Sequence, residues 1–305
     1  MDRKVCIVTG ASRGMGRGTA LVLARDKGCR VYATARNAEA LKQLAEEASD
    51  GGSGGEIIPF PLDHGKDADV EQFVRYIGHK ENAIDLLVNS AYGGLVEMAP
   101  HFSKSFWEKP ISVFDAAVNI GLRGTFVMSR SVAPLMVKRK QGLIIQISSP
   151  AINYAFDVGY GVAHAGIDRL SADMASELQP FGVKALTLFP GPAVTETTSF
   201  PQGETSTFCG RGVAALLFDA DNKTMERYNG KALLVYELAE QFGFTDANGR
   251  LPEGPMSGKE FTQQVREQMS KPVLQYDLNA DLIDAGQWNN DQMASFFKGD
   301  DLKNH

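Results

Sequence analysis

The chain has 305 residues, 43% hydrophobic and 22% charged, enough to bury a full core as one large domain or two small ones. Its formal net charge of −6 gives no electrostatic reason to expect nucleic acid or an anionic membrane surface as partner. Cys6, Cys29 and Cys209 are odd in number and far apart, which excludes a disulfide framework and a metal site and points to a reducing, cytoplasmic setting.

From the N-terminus, short apolar runs alternate with amphipathic stretches. Val5 to Val8 reads as a strand, with no signal peptide ahead of it. Helical spacing runs from Gly14 to about Lys27, then Val31 to Thr34 is a strand and Ala38 to Ala48 a helix. After a glycine-rich turn come a strand at Ile57 to Pro61, a helix at Val70 to His79 and a strand at Ile84 to Val88. A looser segment, Tyr92 to Ile111, carries Trp107 beside Phe106 as packing or a pocket wall, and a long helix follows from Val113 to Lys138. Leu143 to Ile147 is the fifth strand, a helix begins near Tyr160, Val183 to Phe189 is the sixth strand and Ala232 to Tyr236 the seventh. The alternation predicts an α/β domain: a doubly wound, seven-stranded parallel sheet with helices on both faces, over residues 1–249. Residues 196–210, rich in Thr, Ser, Gly and Pro, read as a mobile substrate loop after a strand end. Residues 250–305 read as a C-terminal extension packed on or trailing the domain. No stretch approaches the ~20 apolar residues of a membrane span, so no membrane anchor is expected. His64, His79 and His101 lack metal-ligand spacing and read as surface residues.

Between the first strand and first helix stands Thr9-Gly10-Ala11-Ser12-Arg13-Gly14-Met15-Gly16. Glycines there allow close backbone approach, and free N–H groups at a helix start hold a pyrophosphate. A plain tight turn is the alternative for the glycines alone, but their place in a βαβ unit points to a dinucleotide (Rossmann) site. At the end of the second strand, a carboxylate would select the ribose of NAD and an arginine the 2′-phosphate of NADP. Here Arg36 stands without a neighbouring acid, and Arg13 adds a second cation, so NADP(H) is expected over NAD(H).

The stretch Gly142 to Arg169 carries the chemistry. Ser148 and Ser149 end a strand, and Tyr160 and His164 lie one turn apart on one helix face. A serine hydroxyl facing a tyrosine with a cation beneath it points to proton transfer to a bound oxygen. An N-cap serine and a buried tyrosine is the plainer alternative for these residues taken singly. Tyr154 and Phe156, in the bend between them, are candidates for an apolar substrate wall.

Taken together, these motifs resemble the short-chain dehydrogenase/reductase family from Val5 to about Gly249. The resemblance implies cofactor contacts by Gly10, Ser12, Arg13, Gly14, Met15 and Gly16, an adenine-pocket role for Asp63, and contacts by Asn89 and Ala91 in Asn89-Ser90-Ala91-Tyr92. It implies further cofactor contacts by Tyr160, Pro190, Gly191 and Thr195. It assigns catalysis to Ser149 and Tyr160, with Asn119 in a proton relay, no metal, and a homodimer or homotetramer. Asn89 to Gly94, Phe106 to Pro110 and Asn119 to Gly124 are closer still to a branch of NADPH-dependent carbonyl reductases of steroids and xenobiotic carbonyls.

One departure bears on mechanism. The family writes Tyr-x-x-x-Lys where this chain has Tyr160-Gly-Val-Ala-His164. A lysine there favours the tyrosine anion and holds the nicotinamide ribose; a histidine, with an ordinary pKa near 6.5, is mostly neutral at pH 7. The expected function is NADPH-dependent reduction of an apolar ketone, aldehyde or steroid carbonyl with Tyr160 as proton donor. The alternative is an NADP(H)-binding protein whose turnover is weakened or lost through His164.

Overall fold

The computed structural model describes residues 3–50, 52–150, 157–198, 200, 202–254 and 257–270. Along the chain the elements are β1 (Val5–Thr9), α1 (Gly14–Leu21, continued by π-helical turns Val22–Asp26), β2 (Arg30–Ala35), α2 (Ala38–Ser49), β3 (Glu56–Pro61) and α3 (Asp67–Lys80). Next come β4 (Leu86–Asn89), α4 (Gly94–Met98), α5 (Ile111–Asp115), π-helical turns Ala116–Arg123, α6 (Gly124–Arg139), β5 (Gly142–Ile147) and α7 (Val158–Leu178). The remainder is β6 (Val183–Phe189), β7 (Ala193–Val194), β8 (Glu204–Thr205), α8 (Ser206–Phe218), α9 (Asn222–Tyr228), β9 (Ala232–Leu234), α10 (Val235–Phe242) and α11 (Lys259–Met269).

Seven strands form one parallel sheet in the order β3-β2-β1-β4-β5-β6-β9. The strand order reverses between β1 and β4, and in such sheets ligands bind at the carboxyl ends beside that reversal. Because both faces are covered, the central strands are apolar throughout: all of β1 and β4 is buried. One core layer joins β1, β2 and β6 residues to α1, α2 and α8 through Leu21, Leu41 and Phe208. The other packs Phe73 of α3 and Met128 of α6 against Ile7 and Ile144.

The helical run Ile111–Arg139 is long and apolar enough to cross a membrane by length and composition, against the sequence expectation. Its apolar residues have another use: Val127, Met128, Val132 and Met136 are buried in the second core layer.

Two segments differ from the sequence reading. The seventh strand stops at Leu234, and Val235 and Tyr236 open α10 instead. Val235, Leu238 and Ala239 are all buried, a three-and-four spacing that suits a helix. The loop of 196–210 is also shorter, because α8 begins at Ser206. Its small residues serve packing: a Cβ on Gly18 would meet the Ser206 backbone, and one on Gly210 would lie 2.8 Å from the Gly18 carbonyl. Cys209 is therefore a buried helix residue, and burial pushes its thiol well above the ordinary range.

Helix α7 is set by Asp157. Its Oδ1 caps the helix by accepting from the Tyr160 N–H at 3.1 Å, and its Oδ2 pairs with Lys109 at 2.6 Å, both side chains 5% exposed. Burial opposes the carboxylate, but Lys109 and the Tyr160 and Gly159 N–H groups hold its pKa below the usual range. Removing one member of a buried pair strands the other. Asp157→Ala is expected to cost about 3–5 kcal/mol, read as a lower urea midpoint; an unchanged midpoint would show that α7 does not depend on this cap.

Candidate active site

The cofactor residues expected from sequence gather at the carboxyl ends of the strands. Gly10 follows β1, Arg36 follows β2, Asp63 lies just past β3, Asn89 to Ala91 end β4, and Pro190 and Gly191 follow β6. The Thr9 hydroxyl accepts from the Ser90 and Ala91 N–H groups, and a Cβ on Gly10 would sit 2.7 Å from the Ala91 Cα. Gly10 and Gly14 both have positive φ, at 66° and 56°, which favours glycine. Ser12 and Met15 are half-buried, and Gly16 packs against the Gly10 carbonyl. Arg13 and Arg36 are exposed. Two exposed charges and a glycine turn, in which a Cβ on Gly14 would meet only Thr195 Cγ2 at 4.0 Å, fit a phosphate-bearing nucleotide.

One neighbour was not expected. The Gly14 N–H donates to Glu196 Oε2 at 2.7 Å, and Arg17 Nε lies 3.7 Å from Glu196 Oε1. A loop carboxylate thus covers the N-terminus of α1. Thr195, beside it, accepts from the Thr197 and Thr198 N–H groups in a tight turn. Asp63 Oδ1 accepts from the Gly65 N–H at 3.0 Å. The Asn89 side chain turns inward, donating to Ser129 Oγ at 2.9 Å.

At the end of β5, the Ser149 hydroxyl reaches the buried Tyr160 phenol. Burial raises the Tyr160 pKa above its ordinary value; Ser149 pulls it down and Asp168 pushes it up. His164 packs its ring 4.1 Å from that of Tyr160 and 4.9 Å from that of Tyr92, centroid to centroid. Its Nδ1 lies 3.1 Å from Ser148 Oγ, while Nε2 is buried with no hydrogen-bond partner among the described residues. Burial drives its pKa down to about 4, so the ring is neutral well below the pH expected from its ordinary value. Asn119 sits in the π-helical turns, its side chain exposed and its carbonyl accepting from the Gly124 N–H.

Tyr92, to which the sequence assigns no role, is a wall of this site. A Cβ on Gly94 or Gly121 would come within 2.5 Å of its ring or hydroxyl, so those glycines make its room. Asp168, one turn past His164, was legible from spacing but not singled out; burial lifts its pKa to about 7 against the Ser148 hydroxyl. Glu204, behind Gly191, is nearly fully buried, and burial lifts its pKa to about 8 despite the Gly191 N–H, with Asp246 adding to the rise. No sequence signal marked it. His64 is not on the surface: it is buried, its Nε2 is 2.9 Å from Thr34 Oγ1, and burial lowers its pKa to about 4. Trp107 is 73% exposed, which removes it from any packed wall. Tyr154 and Phe156 lie outside the described residues.

Comparison with known proteins agrees with this geometry. Residues 4–203 match the family model for short chain dehydrogenases. Dehydrogenase/reductase SDR family member 1 of Homo sapiens is 37% identical over 272 residues, covering 82% of this chain and 85% of the relative. A 3-oxoacyl-[acyl-carrier-protein] reductase FabG of Thermotoga maritima is 28% identical, over 65% and 77%. A metagenomic short-chain oxidoreductase crystallised with NADP superposes with a TM-score of 0.63 at 26% identity, covering 76% of this chain and 96% of that one. The chain belongs to the short-chain dehydrogenase/reductase family and is an NAD(P)-dependent oxidoreductase.

Proposed function

We propose that the protein reduces apolar carbonyl compounds (ketones, aldehydes or steroid carbonyls) with NADPH. The observation that carries this reading is the state of the catalytic face: a buried Tyr160, its pKa raised, beside the Ser149 hydroxyl. NADPH, when bound, supplies the hydride. Ser149 polarises the carbonyl oxygen by donating to it, and Tyr160 gives that oxygen the proton it then needs. Reduction asks for a protonated tyrosine, and this environment keeps it so. Alcohol oxidation asks for the anion, which a neutral His164 does little to favour. Arg13 and Arg36, both exposed and without an acid beside Arg36, support NADP(H) over NAD(H). The exposed apolar residues Phe126 of α6 and Val162 of α7 support assembly through those helices, and three buried free thiols suit the cytoplasm.

The second reading, cofactor binding without turnover, is favoured by one observation. The place of the family lysine is held by an uncharged ring.

NADPH consumption with a panel of apolar carbonyls separates the two. Turnover by the native chain, falling about 10²–10⁴-fold in Tyr160→Phe with NADPH binding retained, is the expected result; a native blank with intact binding would favour the second reading. Arg36→Asp is expected to weaken NADPH binding by about 1.5–3 kcal/mol, on the order of 10- to 100-fold, and to favour NADH. An unchanged preference in titrations with both nucleotides would remove Arg36 from the 2′-phosphate. Glu196→Gln, by relieving a carboxylate at the α1 terminus, should tighten NADPH binding by about 0.5–1 kcal/mol. Weaker binding in calorimetry would instead make Glu196 part of the bound site.

A further inference from the structure

Behind Tyr160, α7 carries His164 and Asp168 one turn apart, and the Ser148 hydroxyl from the end of β5 lies against both. Ser148 Oγ is 3.1 Å from His164 Nδ1 and also acts on the Asp168 carboxyl, whose ionised form it favours. Two atoms of this group are buried without a hydrogen-bond partner among the described residues, His164 Nε2 and Asp168 Oδ1. A hydroxyl has one proton to give. Ser148 can therefore donate to only one of its two neighbours at a time.

We propose that Asp168 is a positioning residue that sets, through Ser148, which nitrogen of His164 carries the proton. With Asp168 ionised, the Ser148 O–H donates to the carboxylate and its oxygen accepts from Nδ1–H. Nε2 is then a bare acceptor. With Asp168 protonated, the carboxyl O–H donates to Ser148 and the Ser148 O–H donates to Nδ1. Nε2 then carries the ring proton and is a donor. The change balances as a relay: one proton enters at Nε2, the Nδ1 proton passes to the Ser148 oxygen, and the Ser148 proton passes to Asp168. The imidazole is neutral at both ends.

The two groups titrate far enough apart for this to operate. Burial places Asp168 near pH 7, while it holds the charging of His164 down near pH 4. The titratable rings against them are Tyr160 on α7 and Tyr92 from the β4–α4 loop. Elements packed on α7 bring Glu97, which accepts from Ser112, and Asp115, which is exposed. They also bring Arg123, paired with Asp67, and Lys184, paired with Glu226. The Asp157–Lys109 pair at the start of α7 acts on Tyr92 through its carboxylate.

The consequence for the cofactor rests on the reductase reading. The family lysine is a permanent donor to the nicotinamide ribose, and His164 matches it only as the Nε2–H form, with Asp168 protonated.

The test uses the full chain, uniformly labelled with nitrogen-15 and free of cofactor. The side-chain nitrogens of His164 are assigned by their loss in His164→Gln. As pH rises through about 7, Nε2 should move from a proton-bearing to a bare-nitrogen shift, and Nδ1 the opposite way. Asp168→Asn and Ser148→Ala should each abolish that exchange. A native ring that keeps one tautomer across neutral pH would overturn the proposal, as would an exchange that persists in either variant. No turnover enters the measurement, so a blank in carbonyl reduction leaves this result standing, and a fixed tautomer leaves the reductase reading standing.

Discussion

The Thr9 hydroxyl accepts from two successive backbone groups, the Ser90 N–H at 2.9 Å and the Ala91 N–H at 3.0 Å. This bond ties the end of β1 to the end of β4 where the strand order reverses, and Thr9 is itself buried. It brings the two turns so close that the residue after Thr9 has no space for a side chain, which is why Gly10 stands there. The glycine turn and the start of the Tyr92 loop are therefore held against each other. The same contact places the loop whose Tyr92 ring packs on His164.

That coupling explains how a histidine can stand in the lysine's place without leaving a hole. An imidazole on a short stem reaches less far than a four-carbon amine, and an unfilled void would forfeit contacts. Here Tyr92 fills it, with Gly94 and Gly121 shaped to admit the ring. The exchange has an electrostatic result. A lysine would bring a fixed charge, whereas the three packed rings of Tyr92, Tyr160 and His164 bring none, and burial is the largest influence on the pKa of each. A face of this kind keeps its phenols protonated through neutral pH.

The sheet was readable because parallel strands buried on both faces appear as unbroken apolar runs; Val183–Phe189 matches residue for residue. Val235 was misread because one apolar run passes from a three-residue edge strand straight into a helix with no turn residue between. The first turn of α8 was misread for the opposite reason. Its Ser, Thr and Gly have loop composition, but the requirement they meet is close approach to α1, a long-range contact. In the site, the four-residue spacing of Tyr160 and His164 placed both correctly on one face. The inward turn of Asn89, the burial of His64 against Thr34 and the carboxyl behind Gly191 depend on partners from distant elements, which no local pattern records.

The loop after β7 links the two ends of the cleft in a way that spacing along the chain made possible. Glu196 accepts from the first N–H of α1, the position where an anion is favoured by the free backbone donors and the helix dipole. Arg17 steadies it while also pairing with Glu47, so the carboxylate is held from two sides. A nucleotide phosphate placed at this terminus would compete with Glu196 for the same donor. Glu196 is bonded directly to Thr195, whose hydroxyl organises the turn through Thr198. Lifting Glu196 away would therefore rearrange that turn, so this one acid ties the start of α1 to the loop after β7.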